Sequence, residues 1–130
     1  MPRITVPAAD IELADGEIYA GLILNDDGTP SHHLVLLPGD HEYTTWQAAV
    51  DWAKSLGGEL PTRREQSLLF ANCKQHFERD WYWSGELLDR ELYASEPSSA
   101  WCQYFSRGRQ YGSHISGQCR ARSVRRLIIE

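Results

Sequence analysis

The chain has 130 residues, 42% of them hydrophobic and 24% charged, and a net charge of -5, which fits one folded domain with a single core. No apolar run approaches the ~20 residues that span a bilayer, and the N-terminus lacks the basic, apolar and small-residue order of a secretory leader. These features exclude a helical membrane protein and predict a soluble chain, cytoplasmic when expressed in a host, with virion association as the other placement.

Residues 1–16 mix Pro2, Pro7, small residues and acids without periodicity and read as an arm or edge segment; one domain is expected over 17–130. Glu17 to Leu24 reads as a strand, Asn25-Asp26-Asp27-Gly28-Thr29-Pro30 as a turn, and His33 to Leu37 as the return strand stopped by Pro38-Gly39, together a β-hairpin. From Thr44 the period changes. Trp46, Ala49, Val50, Ala53 and Leu56 recur at helical spacing, Thr44 or Thr45 is placed to cap the first turn, and Gly57-Gly58 ends the helix. Leu60-Pro61-Thr62-Arg63-Arg64-Glu65 is a capping box, in which the Thr62 hydroxyl accepts from the Glu65 amide and the Glu65 carboxylate from the Thr62 amide. The second helix is predicted to run to His76 or Phe77, with Leu68, Leu69 and Ala71 to Cys73 turned inward. Short strands follow at Trp81 to Ser84, Leu92-Tyr93 and Trp101 to Phe105, with a hairpin turn at Ser106 to Arg109. Ala121 to Ile129 alternates arginine with small or apolar residues and reads as one last strand.

Charge is uneven along this order. Residues 1–60 hold ten acids and two bases, whereas 97–129 hold six arginines and no acid. An acidic front and an arginine-rich tail are expected to lie side by side and compensate internally. With a pI near 5.5 and almost no lysine, direct nucleic-acid binding is not expected. Cys73, Cys102 and Cys119 lack CxxC spacing and read as free, mostly buried thiols, the alternative being a Cys102–Cys119 disulfide between adjacent C-terminal strands.

Leu60 to Glu65, Tyr82-Trp83-Ser84, Ala100-Trp101-Cys102-Gln103-Tyr104-Phe105 with Gly108, and Val124-Arg125, after the helix Trp46 to Gly58, form an ordered set. In that set the chain resembles the C-type-lectin-like domains of bacteria and phages, the family of the C-terminal domain of bacterial collagen-like adhesins and of many prophage proteins of unknown role. The resemblance covers roughly residues 17–128. It implies an α+β fold, C-type-lectin-like, with two helices packed on antiparallel strands, paired N- and C-terminal strands and a variable loop surface. Two departures stand out: Gly58-Glu59 replaces the Trp-Arg that often precedes Leu-Pro-Thr, and Ser123 replaces the cysteine that often precedes Val-Arg, so disulfides of secreted relatives do not transfer.

Candidate chemistry is sparse. Calcium-dependent sugar sites of this fold need several carboxylates, and Glu96-Pro97-Ser98 supplies one, so no metal or cofactor is expected. His32 and His33 point to opposite faces of a strand, with His32 expected toward solvent and His33 partly buried, which separates them from a cluster with His41 and Glu42. Cys73 and His76 share a helix face without a third partner and read as a core thiol beside a surface imidazole. An enzyme is not expected.

Binding is better supported. Arg107, Arg109, Gln110, Tyr111 and His114 lie on a glycine-flanked hairpin and are too polar for a core, with Trp81 and Arg90 as flanks; such residues dominate interfaces. The expectation is a non-enzymatic binding domain of phage or prophage origin that recognises a protein or a surface glycan through these loops. The alternative is an intracellular inhibitor or anti-defence protein whose acidic residues Asp10, Glu12, Asp15, Asp26 and Asp27 oppose a basic nucleic-acid-binding surface on its target.

Overall fold

A computed structural model describes residues 3, 5, 8–88 and 98–129. The first hairpin joins β1 (Ile18–Leu24) to β2 (Pro30–Leu36). Its turn is built by short polar side chains: Asp27 Oδ1 accepts from the amide of Thr29 at 3.0 Å and from its hydroxyl at 2.6 Å, and Gly28 adopts φ +88°, a conformation that favours glycine. The return strand starts three residues earlier than expected because Pro30 pairs with Leu24 across the turn.

The phase of β2 decides the histidines. His32 is in step with Leu34 and Leu36, which enter the core, so His32 is buried, while His33 is half-buried and meets the Tyr19 hydroxyl at 2.8 Å. This reverses the expected orientation of the pair. The expected burial sense failed because a buried carboxylate awaits His32: its Nε2 lies 2.6 Å from Glu65 Oε2.

After β3 (His41–Thr44) comes α1 (Trp46–Ser55). Thr45 holds the N-cap position but its side chain makes no capping bond. The helix is held instead by indoles on both sides of its junction with the sheet, Trp46 Nε1 donating to Ser84 O at 2.9 Å and Trp83 Nε1 to Thr44 O at 2.8 Å. At its end a Cβ on Gly58 would lie 2.4 Å from Ser123 Oγ and 2.5 Å from Val124 O, so glycine there permits close docking on the C-terminal strand.

The capping box opens α2 (Arg63–Cys73), with Glu65 N donating to Thr62 Oγ1 at 3.1 Å and Thr62 N to Glu65 Oε1 at 2.8 Å. The helix stops sooner than predicted and gives way to a 3-10 turn at Lys74–His76. Leu69 and Cys73 are buried, Leu68 is half-buried, and Ala71 and Asn72 are exposed. Asn72 is not spare: its Nδ2 donates to Ala20 O at 2.7 Å. His76, exposed in the 3-10 turn, is separate from the buried Cys73.

Strands β4 (Trp81–Leu87), β5 (Ser99–Tyr104) and β6 (Arg109–His114) form a meander. The predicted last strand is two: β7 (Cys119–Ala121) and β8 (Val124–Ile128). Arg122 and Ser123 divide them, both buried, with Arg122 donating to His76 O at 2.6 Å and Leu37 O at 2.8 Å. The break lets the chain change sheets. One sheet has the order β1-β2-β8 and the other β3-β7-β4-β5-β6. Thus the last strand pairs with β2 and not with the first strand. The expected antiparallel arrangement also has an exception, since β4 and β7 run parallel, with Tyr82 opposite Arg120.

Among the described residues the architecture is α+β, two helices and eight strands in two sheets. One apolar cluster gathers Leu34, Leu36, Leu69, Phe77, Tyr82, Phe105 and Val124. The other gathers Ala49, Ala53, Leu60, Trp83, Ala100, Cys102, Cys119 and Ala121 around α1. Among the described residues no helix is long and apolar enough to cross a membrane.

The expected charge compensation is present. Acids of the first half pair with arginines of the second: Glu17 with Arg125, Asp26 with Arg64, Asp40 with Arg120, and Glu59 with Arg126.

Candidate binding face

Directly opposed residues of antiparallel strands project from the same face. Register therefore aligns Trp81, Tyr104 and Arg109 in one row, and Trp83, Cys102 and Tyr111 in the next. Trp83 is fully buried in the second core cluster. Trp81, Tyr104 and Tyr111 carry the row outward. Trp81 stacks on Tyr104 with centroids 4.9 Å apart and planes at 21°, and meets Tyr111 at 5.7 Å and 57°. Tyr111 is 53% exposed, on a strand that among the described residues has a neighbour on one side only.

These rings border a cavity of about 290 Å³ lined by Trp81, Cys102, Tyr111, Gly112, Ser113, Gln118 and Cys119. Its rim is aromatic and polar, its floor two buried thiols. All three cysteines are free. A hydrogen bond from Cys119 holds the Cys102 thiol below its ordinary pKa, and the same bond, with burial, holds Cys119 well above it. Cys102 Sγ also lies 3.5 Å from Tyr111 O. Cys73 lies in the other core cluster, its pKa raised by burial.

The structure sorts the residues singled out on the hairpin. Tyr111 and Trp81 line the cavity, and Arg109 shares their face beside Tyr104. Arg107 is exposed in the turn between β5 and β6. Gln110 projects from the opposite face, where its amide donates to Gln103 Oε1 at 2.8 Å and Arg63 O at 2.9 Å and accepts from Arg63 Nε at 3.0 Å. There the Arg63 guanidinium sits 3.6 Å from the Trp101 ring centroid. Gln110 thus fastens α2 to the sheet. His114 is exposed, with Nδ1 2.6 Å from Ser116 Oγ. Arg90, the Leu92-Tyr93 strand and the Glu96-Pro97 turn lie outside the described residues.

Of the acidic group, Asp10, Glu12 and Asp15 are exposed ahead of β1. Asp26 is paired with Arg64, and Asp27 is engaged by Thr29, whose hydrogen bonds hold its carboxyl below the usual range. Among the described residues no group of three or more His, Cys, Asp or Glu is placed to hold a metal ion.

Residue-by-residue reading missed Tyr104, Ser113, Gln118 and the two thiols as members of one site. The available signal was the alternation Trp81/Trp83, Cys102/Tyr104 and Arg109/Tyr111, which becomes a surface only when the register of three strands is known. No protein-family model matches this chain, and no curated protein matches it.

Proposed function

We propose that this chain is a non-catalytic recognition domain of the C-type-lectin-like kind, of phage or prophage origin, that binds a surface glycan on the Trp81–Tyr104–Tyr111 face. The supporting observation is the partly exposed aromatic row bordering a small cavity with Ser113 and Gln118 on its wall. Flat rings give a large, low-entropy contact area, and a few polar groups orient the ligand. Arg107 and Arg109 extend the face along the hairpin. The glycan reading is preferred over the acidic inhibitor because Asp26 and Asp27 are already engaged within the chain.

A glycan array carrying bacterial surface polysaccharides, followed by titration of tryptophan fluorescence with the best ligand, tests this. Wild type is expected to bind, and Trp81→Ala to weaken binding at least tenfold. No glycan signal, together with capture of a host protein that Arg107→Glu/Arg109→Glu abolishes, transfers the role to a protein partner.

A further inference from the structure

We propose that the chain carries a separate ligand site, a cationic cavity just past the end of α2 that takes a small organic phosphate monoester. The cavity holds about 600 Å³ and is lined by Lys74, Gln75, Phe77, Arg79, Phe105 and Ser106, a volume in the range of small-molecule sites. It shares no lining residue with the aromatic cavity, so its occupancy is independent of what binds the Trp81 face.

The walls are fixed by the backbone. Lys74 and Gln75 belong to the 3-10 turn, which Phe77 N closes by donating to Lys74 O at 3.1 Å. The link onward to β4 is pinned by Glu78 N donating to the Tyr82 hydroxyl at 2.9 Å and by Phe105 N donating to Asp80 O at 2.9 Å. Phe77 and Phe105 stack with centroids 3.9 Å apart and planes at 3°, and both are buried, so they form an apolar floor.

Charge selects the ligand. The chain is acidic overall, at -5, and Arg64, Arg120, Arg125 and Arg126 are spent on ion pairs. Lys74 and Arg79 are exposed and form no ion pair among the described residues. Arg107, beside Ser106, is a third such cation. Its turn lies against Phe70, whose ring a Cβ on Gly108 would meet at 3.0 Å, and Lys74 Nζ sits 5.4 Å from the centroid of that ring. Buried Arg122 adds a guanidinium 5.3 Å from the Phe77 centroid, bonded to carbonyls of His76 and Leu37. The nearby acids are engaged or stand aside: Asp80 accepts from the Tyr43 hydroxyl and the Trp81 amide, Asp40 from Arg120 and Tyr82, and Glu78 is not part of the lining. A carboxylate would bring one charge to this place, whereas a phosphate monoester brings about -1.5 to -2 at neutral pH and three acceptor oxygens. That suits a guanidinium fork and an ammonium acting together, with Gln75 and Ser106 as neutral donors and the organic part resting on the phenyl floor.

Isothermal titration calorimetry at low ionic strength with adenosine monophosphate, phenyl phosphate and inorganic phosphate, beside adenosine and phenol, tests the site. Both esters are expected to bind, their phosphate-free parents not to, and inorganic phosphate to bind more weakly than either ester. Lys74→Gln/Arg79→Gln is expected to weaken ester binding by about tenfold or more with an unchanged melting point. Lys54→Gln, which removes an exposed cation of α1 outside this cavity, and Trp81→Ala are expected to change it by less than about twofold. No binding of either ester to wild type, equal affinity for inorganic phosphate, undiminished binding in the double variant, or loss of binding in Trp81→Ala overturns the proposal.

Discussion

At the scale of single residues, the most consequential side chain is one that the capping motif hid. Glu65 is fully buried, and its carboxylate serves Thr62 N, His32 Nε2 and Arg126 at once, with Arg126 at 2.7 and 2.8 Å. Burial works to raise its pKa, but Arg126, the Thr62 amide and His32 outweigh it and hold the carboxyl below 4.5. A depressed carboxyl contributes stability above its unfolded value, which is lost as pH falls through the folded value. Urea midpoints followed from neutral pH downward are therefore expected to fall below pH 4.5. Glu65→Gln should lack that part of the drop and be weaker by about 3 kcal/mol at neutral pH, since it leaves Arg126 incompletely compensated. Arg64→Ala, which breaks an exposed pair, should change stability by less than about 0.5 kcal/mol in the same titration.

At the scale of elements, local signals specified helices better than strands. The capping box held because its two hydrogen bonds involve residues three apart and need no partner element. Thr62→Ala is expected to cost about 1 kcal/mol, read as a melting point lower by about 4 °C. Helix ends were set by contacts from elsewhere. Asn72 is exposed yet committed to the Ala20 carbonyl of β1, a bond invisible to periodicity. The C-terminal run shows the same limit. Its alternation of arginine with small residues predicts one strand, but Arg122 finds carbonyl partners at Leu37 and His76, and the chain turns there from one sheet to the other. Alternation reports which side chains are polar; it does not report a bend whose partners lie dozens of residues away.

At the scale of the whole molecule, folding separates the stabilising network from the aromatic face. Glutamines 66, 103 and 110 bridge α2 to β4, β5 and β6 on one side of the sheet, and the aromatic row projects from the other. Tyr111→Ala is therefore expected to reduce ligand affinity at least tenfold while the melting point moves by less than about 2 °C, measured by parallel fluorescence titration and thermal scans. A large loss of stability would place Tyr111 in the scaffold.

By itself the sequence determined the mixed α+β class, the two helices, the first hairpin and the pairing of acidic front with arginine-rich tail, because each follows from local periodicity, turn chemistry or bulk charge. Tertiary structure alone decided which hairpin residues border the cavity and which brace the sheet, that His32 is the buried histidine, and that Cys102 and Cys119 share a cavity. Those outcomes depend on strand register and sheet order. A shift of one residue would exchange the two faces, and no local property of the chain records which register packs.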